Sequence, residues 1–384
     1  VDVSGNDDLP YYATRSYFAS SDYMGQASGL AIAGIGNEKI QWERTRRVNV
    51  GVDANLLDNR LGVRFNYFRS ATDHLLMWQE MSFLSGLDKT WGNGGKLENR
   101  GFDVEATGVV WASPSWQWQV GASVGHYKNE VTALPDGQQY MDTEILGATV
   151  RTEIGRPANL FYGYKTKGVF ATSAEAQAAG LYVRDANGVD QTAFEAGDVH
   201  FVDLDGDHFV TEADRTVIGD PNPDIYGNIF TTVQYRRFRL DVRFNYSLGN
   251  DIYNYMRQQL ESGSRFMNQT TALARRWQVE GQQTDIPRLS FQDPMGNSRF
   301  SDRWIEDGSY LRLKTVTLSY DLPISSTFLQ GLQFWVQANN VFTLSRYLGT
   351  DPEGAALSAV LGQGIDAGSV PQSRNFMVGI KISL

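Results

Sequence analysis

The sequence predicts an all-β chain whose strands run up and down in one antiparallel sheet, and three observations carry this reading. Tyr, Phe and Trp make up 12% of the 384 residues and glycine occurs 38 times, a balance that suits strands and turns better than helix bundles. Several segments alternate apolar with polar residues, the period of a strand with two unlike faces. Short turn-forming connections also alternate with long polar ones along the chain.

The elements follow in order. RRVNVGVDANL places Val48, Val50, Val52 and Ala54 on one face, and RLGVRFNY does the same with Leu61, Val63, Phe65 and Tyr67. WQWQVGASV repeats the pattern with Trp116, Trp118, Val120, Ala122 and Val124. In RLDVRFNYSL, Leu240, Val242, Phe244, Tyr246 and Leu248 oppose Arg239, Asp241, Arg243, Asn245 and Ser247. YLRLKTVTLSYDL also reads as a strand, although its apolar residues change phase between Leu313 and Val316. LQFWVQAN and the terminal FMVGIKISL alternate again. Counting back from the C-terminus gives about eleven strands, with a twelfth in YYATRSYFAS at 11–20.

Short turns are expected at LLDNR (56–60), WASPS (111–115), RPANL (156–160), YRRF (235–238) and LPISSTFLQG (322–331). Long polar loops are expected at about 72–96, 128–146, 172–225, 250–306 and 346–372. An up-and-down sheet with compact turns at one rim and long loops at the other has this order, as in outer-membrane barrels, where the apolar face meets lipid and the polar face a lumen. A soluble β-sandwich alternates too, but its strands are usually about five or six residues long, shorter than several here.

Composition narrows the function. No stretch approaches the roughly 18 apolar residues of a membrane helix, and no leader pattern opens the chain, so Val1 reads as a mature or internal start. Cysteine is absent, which excludes disulfides, zinc-thiolate sites and thiol nucleophiles. A net charge of -10 argues against a nucleic-acid surface.

The segment FVDLDGDHFVTEADRTVIGDPNP, residues 201–223, has the spacing of a calcium loop. With Asp203 at position 1, Asp205 falls at 3, Asp207 at 5, the Phe209 carbonyl at 7, Thr211 at 9 and Asp214 at 12, oxygen ligands for a hard cation such as Ca2+. His208 stands where glycine normally supplies positive φ, and Asp replaces the longer Glu at position 12. The alternative is a capped, metal-free turn in which Arg215 neutralises a carboxylate. Either way the loop lies between strands and reads as a brace for a surface loop rather than an active site.

Catalytic motifs do not survive weighing. GASVG at 121–125 matches the G-x-S-x-G elbow, but Ser123 and nearby His126 sit in continuous strand alternation, without the strand-turn-helix the elbow requires. His74, His126, His200 and His208 form no ligand motif, and no P-loop is present. Asp351 and Glu353 could pair as in a glycosidase, but acidic residues are common on outer rims, and a solvated acidic loop is by far the plainer reading. No enzyme activity is expected.

Eight runs in order together resemble one family: NEKIQWERT (37–45), NGG with LENRGFDVE (93–105), IGRPANLFYGYKTKGVF (154–170), DLDGDHFVTEADRTVIGDPNPDIYGN (203–228), FNYSLGNDIYN (244–254), DRWIEDGSYLRLKTVTLSYDLP (302–323), QANNVFTLSRYLGTDPEG (337–354) and GIDAGSVPQSRNFMVGIKISL (364–384). The chain resembles the C-terminal half of the barrel of a SusC-like TonB-dependent outer-membrane transporter. The resemblance implies a 22-stranded transmembrane barrel of which residues 1–384 supply about 11–12 strands. The plug, the TonB-contacting segment and the earlier strands have no counterpart in this sequence. It also implies an integral outer-membrane location in a Bacteroidetes-type bacterium, a SusD-like lipoprotein lid, energy from TonB through the plug, and oligosaccharide or oligopeptide cargo. Such barrels commonly end in Phe, and this chain ends in Leu384.

Loop aromatics Tyr140, Tyr182, Phe194, Tyr255, Trp277, Phe291 and Phe300 could stack on sugar rings or hold peptide side chains; loop packing or lid contact is the plainer role. Trp277 beside Arg276 in an expected helix ALARRWQVEG, together with Tyr255, is the candidate substrate contact. A siderophore or cobalamin-type receptor and a secreted calcium-stabilised glycan-binding β protein are the alternatives.

Overall fold

A computed structural model describes the chain except residues 1, 5–11, 24–26, 83, 85, 88, 185–187, 189, 190, 325–327, 329, 355–361 and 384. Ten strands pair in chain order into one antiparallel sheet, the wall. They are β1 (Asp2–Ser4), β2 (Glu43–Leu56), β3 (Leu61–Glu80), β4 (Lys89–Ala112), β5 (Trp116–Ala133), β6 (Ile225–Tyr235), β7 (Phe238–Leu248), β8 (Tyr310–Leu322), β9 (Gly331–Ser345) and β10 (Asn375–Ser383). The turn YRRF is a two-residue hairpin with Arg236 at φ 53°, the left-handed backbone that matches the twist of the flanking strands.

The wall turns its apolar face away from the protein. Val48, Val50 and Val52 on β2, Val336 on β9, and Val378, Ile380 and Ile382 on β10 are all exposed. Near the short turns, Trp116, Tyr235, Phe238, Tyr320 and Phe334 stand directly opposite one another across β5 to β9, with ring centroids 4.6 Å apart in two of the pairs. A bare apolar band edged by an aromatic row is the surface of a sheet solvated by lipid. The opposite face is polar: Arg64 pairs with Asp53 and Glu105, and Arg239 with Asp241.

Several boundaries differ from expectation. Among the described residues ten strands form the wall, and Tyr17–Tyr23, within the expected strand 11–20, pairs with Ala27–Gly34 as a separate hairpin; residue 11 of that expected strand lies outside the described residues. Residues 72–96 are mostly strand, since β3 and β4 stay paired as far as Glu80 and Lys89. RPANL is a turn inside a small four-stranded sheet, so 134–224 is one long excursion between β5 and β6. The phase change in β8 is a bulge: Thr315 opposes Arg243 while Leu313 opposes Phe244, leaving Lys314 unopposed.

The excursions 134–224, 249–309 and 346–374 fold together into a cap with two hydrophobic clusters. One joins Phe170, Leu181, Phe194, Val199, Phe201 and Met295; the other joins Val150, Phe161, Tyr253, Phe300, Trp304 and Ile365. The reason is the solvent: wall side chains can face lipid, whereas the cap's must leave water. Short helices fill corners of the cap: α1 (Ser173–Ala179) is capped by Thr172 and closed by Gly180 at φ 60°, and α2 (Tyr255–Glu261) is capped by Asn254.

The sheet does not close among the described residues. β10 pairs only with β9, and β2 meets β1 only at Glu43–Thr45, so both edges carry unpaired backbone groups that lipid cannot satisfy.

Candidate functional site

The acidic loop brings together three of its expected ligand residues. Carboxylate oxygens of Asp203, Asp205 and Asp214 lie within 4.8 Å of one another. His208 has φ 66° and Gly206 φ 79°, so the chain turns through the left-handed region at the expected position. The amides of Gly206 and His208 donate to Asp203, and those of Leu204 and Thr211 to the fully buried Asp214. Asp207 Oδ1 accepts from the Phe209 amide at 2.7 Å, and its carboxylate is not one of the three gathered. Features of the metal-free alternative are also present: Thr211 and Asp214 form a capping box, and Arg215 pairs with Glu212.

The loop concentrates negative charge. Partial desolvation opposes the charge on Asp203, but the Gly206 and His208 amides hold its carboxyl below the usual range. For Asp205 the Asp207 amide favours the charged form, yet desolvation and the Asp207, Asp214 and Asp203 carboxylates hold it above the usual range. That mutual repulsion is what a bound cation relieves.

The structure does not gather Trp277, Arg276 and Tyr255 into one pocket. The Trp277 indole donates to the Ala171 carbonyl at 3.1 Å, and its ring lies where a Cβ on Gly197 would be, 2.5 Å from Cε3. Arg276 donates to the Leu273 carbonyl, and Tyr255 packs edge-on to Tyr253 in the other cluster. ALARRWQVEG is not a helix: a 3-10 turn covers Thr271–Arg275 and stops. Phe194 and Phe300 are core residues, whereas Tyr140 and Phe291 stay exposed.

Asp351 and Glu353 prove to be a clamp. Arg312, buried on the polar face of β8, donates to both carboxylates, and the bulged Lys314 reaches Glu353 at 3.2 Å. The Arg312 guanidinium and the Lys314 ammonium together balance the two carboxylates, leaving neither as a free acid or base. Burial works against the charge on Asp351, but Arg312 and the amides of Gln372 and Glu353 outweigh it and hold this carboxyl below the usual range. Ser123 is an ordinary strand residue of β5, its hydroxyl accepting from the Asn228 amide.

Two further features had no sequence signal. Buried Asp198 accepts from both Arg288 and Asn297, 90 and 99 residues away, and ties two excursions together. Arg299 lines a cleft between those excursions.

Comparison with known proteins agrees with this architecture. The sequence model of the family described as "TonB dependent receptor-like, beta-barrel" matches residues 6–209. TonB-dependent receptor P3 of Formosa agariphila is 29% identical over 396 residues, covering 99% of this chain and 38% of that protein. TonB-dependent receptor SusC of Bacteroides thetaiotaomicron is 24% identical, covering 97% and 35%. Among solved structures, the RagAB peptide transporter superposes with a TM-score of 0.78 at 25% identity, over 99% of this chain and 40% of that one. The chain thus spans about two-fifths of the length of these relatives.

Proposed function

Because the chain belongs to the TonB-dependent receptor β-barrel family, we propose that it forms the C-terminal wall and outer cap of a SusC-like nutrient importer embedded in the outer membrane. The observation that carries this is the ten-strand sheet, apolar outward and open at both edges, with a folded cap at its long-loop rim. An N-terminal plug and earlier strands complete the barrel, TonB acts through that plug, and a SusD-like lipoprotein lies over the cap. The cargo is an oligopeptide or an oligosaccharide; the likeness to a peptide transporter favours the peptide. The chain performs no covalent chemistry. Trp277, Arg276 and Tyr255 serve cargo binding by building the cap.

The test is intact mass and peptide mapping of the detergent-extracted native complex containing this sequence. Plug and early-strand peptides with a co-purifying lipoprotein are expected. A species complete at these residues and monodisperse without detergent would sink the reading and favour the secreted glycan-binding alternative.

In the acidic loop, Asp203, Asp205, Asp207, the Phe209 carbonyl and Asp214 would hold Ca2+, whose chemistry here is charge neutralisation and loop bracing. Calcium is expected to raise the melting temperature of the intact transporter and EGTA to lower it. No difference between the two would leave the capped turn as the whole account of the loop.

A further inference from the structure

Between the excursions 134–224 and 249–309 runs a cleft formed by two cavities, of about 250 and 690 Å³, which share Gly147, Arg299 and Phe300. At its wide end Phe266 and Phe291 face each other at 4.9 Å, 94% and 59% exposed. Such exposure is unusual for an aromatic pair and marks a surface that receives an apolar group. Arg265 lies beside them, exposed and without an ion-pair partner among the described residues.

Arg299 is the second anomaly. Arg257, Arg288 and Arg312 are matched to carboxylates, and Arg303 donates to the carbonyls of Asn297 and Asp285. The Arg299 guanidinium instead lies 5.5 Å from the Tyr164 ring and 5.6 Å from the Phe201 ring, with no carboxylate in ion-pair range and no partner for its buried Nη1. Burial pulls its pKa below the ordinary arginine value, and Arg215 adds to this against the more distant charges of Tyr164, Asp293 and Asp214. The acids in the cleft are already engaged: Glu144 accepts from the Thr149 hydroxyl, and Asp293 from the Asn297 and Ser298 amides. A half-buried guanidinium with one nitrogen buried and unpartnered and no carboxylate in ion-pair range is a ready seat for an anion.

We propose that this cleft binds a carboxylate-bearing oligomer, its anionic group at Arg265 and Arg299 and an adjacent ring or apolar side chain on Phe266 and Phe291. The inference rests on the importer reading and narrows its cargo. A peptide ending in an aromatic residue carries both groups on one unit; a uronic-acid oligosaccharide carries a carboxylate beside a sugar face.

The test is calorimetric titration of the complete, detergent-solubilised transporter with its lipoprotein. The probes are a short N-acetylated peptide ending in phenylalanine, the same peptide as its C-terminal amide, trigalacturonate and its methyl ester. The free-carboxylate form of one probe pair is expected to bind at least tenfold more tightly than its neutral form. Arg265→Gln and Arg299→Gln should each remove that preference. Arg265 is exposed, so its variant folds even if Arg299→Gln does not. Phe291→Ala should weaken the acidic probe several-fold while the lipoprotein stays bound. A preference for trigalacturonate over the peptide supports the cleft with sugar acid as its source. Equal binding of charged and neutral forms, an unchanged Arg265→Gln, or loss of the lipoprotein in Phe291→Ala without loss of probe each overturns the proposal. The importer reading is scored separately, by energy-dependent uptake in cells.

Discussion

At Arg312 one side chain holds two acids in a nearly dry setting, with side-chain exposures of 4% for Arg312 and 7% for Asp351. Removing one partner of such a pair costs more than the pair contributes, because the remaining charge stays buried. Arg312→Ala is therefore expected to destabilise the 346–374 segment by about 3–5 kcal/mol, read as faster proteolysis of that segment in the intact transporter. The pH dependence has a fixed sign. Asp351 is held below its unfolded pKa, so the clamp's contribution is present above the ordinary carboxylate range and is lost as pH falls through the lowered value. Protease protection of this segment should hold across neutral pH and fail only in strong acid. At the acidic loop, Asp203→Asn combined with Asp205→Asn should abolish any calcium-dependent rise in melting temperature without unfolding the cap, since neither side chain belongs to a hydrophobic cluster. Persistence of the full calcium shift in that variant would reject the ligand assignment.

Elements show where local pattern and tertiary demand part company. The alternation in β6 and β7 translates directly into register, from Ile225 opposite Leu248 down to Tyr235 opposite Phe238. In β8 the broken phase that looks like a weak strand is a bulge, and it frees Lys314 to join the clamp. ALARRWQVEG has helix-forming composition, yet Trp277 packs on Gly197 and the amide of Trp277 bonds to the Ile286 carbonyl, which pulls the chain out of a helix after one turn. Gly197 sits at φ 86° with the indole against it. Gly197→Ala should thus cost about 1–3 kcal/mol through overpacking and a disfavoured backbone, measured as a lower cap unfolding temperature; a neutral result would mean that the indole moves freely.

On the scale of the whole molecule, solvent decides where the core lies. The wall carries its apolar residues outward and the cap carries its own inward, so a single chain obeys two opposite burial rules. Among the described residues the edges at β2 and β10 are open, so closure is expected to require further strands. Residues 1–384 expressed alone should fail to give the heat-resistant, compact band of a folded barrel on unboiled gels, and co-production of the preceding half should restore it. A compact, heat-modifiable band from this chain alone would refute the need for a partner half.

The sequence by itself determined the fold class, the two unlike faces of the wall strands and the spacing that brings the carboxylates of Asp203, Asp205 and Asp214 together, because each is a local regularity: period two or fixed spacing. It also carried enough ordered motifs to point to the family. Tertiary structure alone decided that 134–224 is one folded excursion, that Arg312 joins Asp351 and Glu353, that Asp198 meets Arg288, and that Arg299 lies in a cleft without a counter-ion. Those contacts link residues tens of positions apart whose types are ordinary in any polar loop. Only the packing of one excursion against another gives them partners, or leaves them without one.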